Sequence, residues 1–334
     1  MVFHEDDEHR EVEFDRALRP TSLEEFVGQD VVRQNLRIAI DAAKERGEPL
    51  DHVIFVGPPG LGKTTLAHLM ALEMETEITV TAGPALNSPR ELMGPLTRLE
   101  PRELLFIDEI HRLPRGVEEY LYTAMEDHAV DIAIDPGITG RTVHIALKPF
   151  TLVGATTREG LLSGPFRSRF GIVERLEPYP PQDICRILQR AANLLDFPID
   201  PQAAELLAER SRGIPRMALR IQRRVRDLAQ VSGKSSIDQQ STHEALTRMQ
   251  IDRLGLEEMD RKILRALIDR GEPVGLKTLA AIVDEAEDTL EEVYEPHLLR
   301  CGLISRTPRG RTATPRAHEH LGKEPPRASD SLPF

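Results

Sequence analysis

The sequence predicts an α/β protein: a parallel-sheet core built on a phosphate-binding loop and carrying a β-hairpin insertion, then a small all-α domain, then a winged helix. Three observations predict it. The stretch Gly57-Pro58-Pro59-Gly60-Leu61-Gly62-Lys63-Thr64-Thr65 fits G-x-x-x-x-G-K-[ST] between an apolar run and a helical pattern. Short apolar runs at 53–56, 78–81, 104–107 and 150–155 alternate with helical segments from Leu18 to about Arg175, as in a parallel sheet covered by helices. Beyond Gly255, helices give way to two short segments around an arginine-bearing turn.

In chain order, residues 1–16 are polar and acidic and are expected to be a disordered tail. His52-Val53-Ile54-Phe55-Val56 reads as a buried strand, and Thr64 to Glu73 has helical spacing without a breaker. The loop between them has the composition of a phosphate cradle. Its glycines let backbone N–H groups turn inward at the positive end of the next helix. Gly60, Gly62, Lys63, Thr64 and Thr65 are therefore candidates for binding ATP, with Lys63 reaching the β- and γ-phosphates and the Thr64 hydroxyl holding Mg²⁺.

Leu104-Leu105-Phe106-Ile107-Asp108-Glu109 places two carboxylates at the carboxyl end of an apolar strand, where open α/β sheets bind ligands. Asp108 is the candidate second metal ligand, and Glu109 the candidate base for the attacking water. Val130 to Ile134 and Thr142 to Leu147, joined by turn residues, predict a hairpin that is an exposed arm or a partner-binding element.

Pro178-Tyr179-Pro180-Pro181 interrupts the pattern, after which the chain to Met249 is helical. A second joint falls near Gly255. It is followed by helices over Glu257–Arg270, Leu276–Val283 and Asp288–Cys301, and by strands at Leu303–Arg306 and Arg311–Thr314 around Thr307-Pro308-Arg309-Gly310. The expected domains are 17–178, 179–254 and 255–322, with a second disordered tail at 323–334.

The composition, 40% hydrophobic and 29% charged over 334 residues, is that of a globular chain of more than one domain. No stretch approaches the ~18 apolar residues of a membrane span, and the acidic N-terminus is not a secretory signal. Cys185 and Cys301 form neither a metal pattern nor a disulfide framework, so a cytoplasmic location is expected. A net charge of −12 excludes a surface basic all round, leaving local patches at Arg212–Arg226 and Arg306–Arg316.

Leu18-Arg19-Pro20, the glycine loop, Leu105 to Leu113, Gly154-Ala155-Thr156-Thr157-Arg158, Arg169-Phe170-Gly171 and Thr307 to Arg311 together resemble the RuvB family of AAA+ ATPases from about Leu18 to Gly322. The resemblance implies an ATP-driven homo-hexameric motor of Holliday junction branch migration. Its implied partners are junction and duplex DNA, a RuvA-like junction-binding protein gripping the 130–147 hairpin, and a RuvC-like resolvase. It implies nucleotide contact by Leu18, Arg19, the Glu126-Asp127-His128 segment and Tyr179. Thr156 would be a γ-phosphate sensor, Arg169 an arginine finger for the neighbouring subunit, and Arg216 the sensor of a helical lid. Arg306, Arg309 and Arg311 would touch DNA phosphates. The chain departs from the family pattern at His128, where a Phe is usual, and at Glu287, where an Arg is. The competing readings are a clamp-loader or initiator-type switch and a protein-remodelling ATPase.

Overall fold

The computed structural model describes residues 18–133 and 142–324, which form two compact units meeting at Glu177/Pro178. Both expected tails fall outside the described residues, apart from Lys323 and Glu324, and so do hairpin residues 134–141.

The first unit opens with α1 (Asp30–Arg46), which stops at Gly47; there a φ of 69° lets the N–H turn back to the Ala43 and Lys44 carbonyls. Strand β1 (Val53–Val56) leads through the glycine loop into α2 (Lys63–Met74), most of whose side chains are buried. After β2 (Ile78–Ala82) and α3 (Pro89–Arg98) come β3 (Leu104–Asp108) and α4 (Arg115–Asp127). A hairpin of β4 (Ala129–Ala133) and β5 (Thr142–Ala146) precedes β6 (Thr151–Thr156), the short α5 (Gly164–Arg167) and β7 (Ile172–Arg175).

The sheet order is β2-β3-β6-β1-β7, with every neighbouring pair parallel. The runs Val53-Ile54-Phe55, Leu104 to Ile107 and Thr151 to Thr156 are buried because both faces of a parallel sheet are covered. Strand β7 was not expected from the sequence. It is an edge strand with only two apolar residues, Ile172 and Val173, and its Glu174 is buried while Arg175 is exposed. The expected hairpin is present, antiparallel, with Asp131 opposite His144, and their side chains meet at 2.9 Å on an exposed face.

In the second unit, α6 (Pro181–Leu194), α7 (Pro201–Arg210), α8 (Pro215–Val231) and α9 (Gln239–Arg248) make the all-α part. Three of the four begin on a proline, which fixes φ where no N–H is needed. A winged helix follows. Helices α10 (Glu258–Arg270) and α11 (Leu276–Val283) pack beneath a third helical segment of α12 (Glu287–Thr289), a π-helical stretch (Leu290–Tyr294) and α13 (Glu295–Arg300). Strands β8 (Ile304–Thr307) and β9 (Gly310–Ala313) form the wing, and α14 (Pro315–His320) closes it. The expected single helix from Asp288 to Cys301 is thus interrupted by a π turn. Its cause is Pro296, which lacks the N–H for an i→i−4 bond and crowds the carbonyl one turn earlier.

Candidate functional site

The glycine loop is shaped by its glycines. Gly57 leaves β1 with φ 152°, and a Cβ there would lie 2.6 Å from the Leu176 carbonyl oxygen. Gly60 and Gly62 have φ of 80° and 102°, and Gly62 caps α2, so the unsatisfied N–H groups of the helix start face the loop. Lys63 is buried, and its Nζ donates to the Gly57 and Pro58 carbonyls at 2.8 Å each. The ammonium is therefore held inside the loop, where phosphate oxygens would replace those carbonyls.

The acidic pair and Thr156 open at the same edge of the sheet as the loop. β6 lies between β3 and β1, with Thr156 in register with Val56. Gly57 N–H donates to the Thr156 carbonyl at 3.0 Å. Thr156 is buried; its Oγ1 accepts the Arg158 N–H at 3.0 Å and shares a hydrogen bond of 3.0 Å with His111 Nδ1. Asp108 is half-buried and its Oδ1 accepts the Glu109 N–H at 2.9 Å. Glu109 has φ 48°, a costly conformation for a non-glycine residue, and its carboxylate meets Arg112 at 3.0 Å. The donor set fits Mg²⁺: Thr64 and one carboxylate, Asp108, leave the remaining positions to phosphate and water oxygens.

Arg169, Glu126, Asp127 and His128 lie elsewhere. His52, just before β1, bonds the Met125 carbonyl at 3.4 Å through Nε2, and β7, which starts three residues after Arg169, begins with Ile172 paired to Val53. Residues 125–128 and Arg169 therefore stand at the end of the sheet away from the loop, and the length of β1, ~13 Å, separates them from their own chain's cradle. The three expected nucleotide contacts Glu126, Asp127 and His128 are not brought to that cradle. Glu126 instead pairs with Arg169 at 2.7 Å, Asp127 is exposed, and His128 turns with φ 46° at the end of α4. The His128 ring meets Phe150 edge-on at 6.4 Å, so the departure from the family pattern keeps an aromatic contact here.

Leu18 is buried and Arg19 half-buried in the first unit. In the second, Tyr179 is buried and donates its N–H to the Gly213 carbonyl at 2.8 Å, which sets it beside the turn that carries Arg216, an exposed residue in the first turn of α8.

Arg212, expected only as one of an arginine cluster, joins the all-α part to the winged helix. Its Nε donates to the Gly255 carbonyl at 2.9 Å, and Nη2 and Nη1 reach the two Asp260 oxygens at 2.6 and 3.3 Å. Asp260 has no exposed surface. Burial pushes its carboxyl up, while Arg212 and the Glu257 N–H draw it back toward the ionised form. Nearby His297 is held down at about 4 by burial and by the Arg212 charge, and its Nε2 bonds the Leu254 carbonyl at 2.8 Å.

The wing arginines differ from one another. Arg306 and Arg311 both bond Glu295, whose side chain is 1% exposed, and both approach Glu291 at 3.6 Å. Arg311 is 14% exposed and its backbone pairs with Val274. Arg309 is exposed at the turn. Exposed Glu287 lies on the helical segment, not on the wing.

Comparison with known proteins gives consistent results. Family models match along most of the chain: a Holliday junction DNA helicase RuvB P-loop domain over residues 18–176, a RuvB AAA lid domain over 179–252 and a RuvB C-terminal winged helix domain over 253–322. The Holliday junction branch migration complex subunit RuvB of Flavobacterium johnsoniae is 53% identical over 315 residues, covering 94% of this chain and 93% of that protein. The protein of the same description from Kosmotoga olearia is 54% identical over 314 residues, covering 93% and 92%. The solved structure of the Thermotoga maritima RuvB Holliday junction branch migration motor superimposes with a TM-score of 0.85 at 50% identity, covering 93% of this chain and all of that one (100%).

Proposed function

The chain belongs to the RuvB family, and we propose that it is an ATP-driven motor of Holliday junction branch migration, a subunit of a complex that works on DNA with a RuvA-like partner. The observation that carries the reading is the shared sheet edge at which the glycine loop, Lys63, Asp108 and Thr156 open together. Lys63 exchanges the Gly57 and Pro58 carbonyls for β- and γ-phosphate oxygens. Thr64 and Asp108 would hold Mg²⁺, which would neutralise phosphate charge. Glu109 leaves Arg112 to orient the attacking water and take its proton, and Thr156 offers its hydroxyl to the γ-phosphate.

Arg169 lies too far from its own cradle to serve it, which supports a role at the neighbouring subunit's nucleotide, with Glu126 and Asp127 on the same face. Such a shared site needs a neighbouring subunit, and a head-to-tail arrangement that closes gives a ring, which we assign as a homo-hexamer. Leu18 and Arg19 of the first unit contact nucleotide, and Tyr179 and Arg216 of the second unit have the same role. The 130–147 hairpin takes the RuvA-like partner, and a RuvC-like resolvase acts on the same junction in the cytoplasm. In the wing, Arg309 makes the direct phosphate contact. Arg306 and Arg311 face Glu291 and Glu295, so two positive charges meet two negative ones and little net charge remains for DNA.

ATPase stimulation discriminates this from a protein-remodelling role. Stimulation by four-way or duplex DNA and none by unfolded polypeptide is expected; stimulation by polypeptide alone would overturn the proposal.

A further inference from the structure

One face of α4 holds the whole segment that carries Arg169. Glu118, Tyr122 and Glu126 recur at every fourth residue and so share a side of the helix. Glu118, buried, accepts the Ser163 N–H at 3.1 Å and the Ser163 hydroxyl, fixing the residue that caps α5. Phe166 and Phe170 are buried and meet edge-on at 5.3 Å, pinning the backbone on both sides of Arg169. Tyr122 contacts Arg169 in two ways: its hydroxyl accepts from Nη2, and its ring lies 4.6 Å beneath the guanidinium carbon. Glu126 meets the same Nη2 at 2.7 Å. The Arg169 Nε is buried and has no hydrogen-bond partner among the described residues. The guanidinium is thus held in one orientation by contacts on its Nη2 edge and on one ring face.

The geometry points to Tyr122 as the positioning residue of the trans-acting arginine, orienting the Arg169 guanidinium toward the phosphates of the neighbouring subunit's ATP through one hydrogen bond and one ring face. The inference rests on the assignment of Arg169 as the finger. Pre-orientation matters because a long, flexible side chain must otherwise be ordered at the moment of reaction, and a misplacement of ~1 Å costs about 10²-fold in rate. Tyr122 packs on the core of the first unit, so Phe is the substitution that keeps its volume and ring.

The test uses full-length Tyr122→Phe, Tyr122→Leu and Arg169→Ala proteins with DNA present. ATPase kcat and KM, nucleotide binding and assembly size are measured. Tyr122→Phe should lower kcat about tenfold and Tyr122→Leu about 10²-fold, with KM, binding and assembly unchanged. Mixing supplies a readout that a folding defect would not move. Tyr122→Leu subunits have an intact cradle, and Glu109→Gln subunits have an intact finger, so mixed rings should regain turnover. The recovery should match that of Arg169→Ala mixed with Glu109→Gln. Parent-like kcat in both Tyr122 variants, alongside an inactive Arg169→Ala, would overturn the inference, as would a lesion that mixing does not rescue. Parent-like turnover in Arg169→Ala would instead remove the finger assignment itself, and the role of Tyr122 with it.

Discussion

Replacing Arg212 by alanine should destabilise the second unit by about 3–5 kcal/mol, because it leaves the wholly buried Asp260 carboxylate without its cation. That is a large part of the ~5–15 kcal/mol by which a domain is stable. The alanine also leaves the Gly255 carbonyl without the Arg212 Nε–H. A double substitution, Arg212→Met with Asp260→Leu, removes both charges together. Its residual cost should be about 1 kcal/mol, mainly from the lost bond between Asp260 Oδ2 and the Glu257 N–H at the start of α10. The pH dependence has a definite sign. In the single variant, burial without Arg212 holds the Asp260 pKa above its unfolded value. The deficit is therefore full above that raised pKa and shrinks as pH falls through it, when the carboxyl becomes neutral. Hydrogen-exchange protection of the α10 amides at pH 7 and pH 5, corrected for intrinsic rates, reads the local stability. A loss below 1 kcal/mol, a deficit unchanged by pH, or a double variant as weak as the single one would refute the argument.

Other outcomes follow from the same structure. Lys63→Ala should lose nucleotide binding, whereas Glu109→Gln should bind ATP and not turn it over; equilibrium binding alongside single-turnover hydrolysis separates the two. Arg309→Ala should reduce the slope of log K against log salt by about 0.9 for each wing engaged on DNA, whereas Arg311→Ala should change the slope less and lower the stability of the winged helix, since buried Glu295 loses a partner. His297, with its folded pKa near 4 against 6.5 unfolded, contributes stability fully present above pH 6.5 and lost as pH falls toward 4, about 3 kcal/mol in all. His297→Gln should flatten the stability curve over that window, and an unchanged curve in urea titrations would remove the effect.

The sheet core was legible because its strands are continuous apolar runs and its loop has a backbone requirement that only glycines meet. Strand β7 was not legible, since an edge strand of Ile172, Val173, Glu174 and Arg175 carries half the usual apolar signal. Pro296 was the available sign of the π turn before α13. The residues proposed for the cradle could be grouped from the sequence because they are consecutive or lie at strand ends. Arg169, Tyr122 and Glu126 were not readable as a group: Tyr122 and Glu126 form a helix face, whereas Arg169 arrives from a loop after the intervening hairpin and β6. The wing illustrates the same limit. Arg306 and Arg311 look like a basic tip in sequence, and only the approach of Glu295 from α13 shows that their charge is largely answered within the protein. Arg212 likewise gave no sign of its partner Asp260, which comes from another domain.

Dissociation of a synthetic four-way DNA junction, with ATP and the junction-binding partner and with Lys63→Ala as control, tests the central claim most directly. Dissociation should be enhanced by the partner and abolished by Lys63→Ala. ATP hydrolysis that leaves the junction intact with the partner present would contradict it.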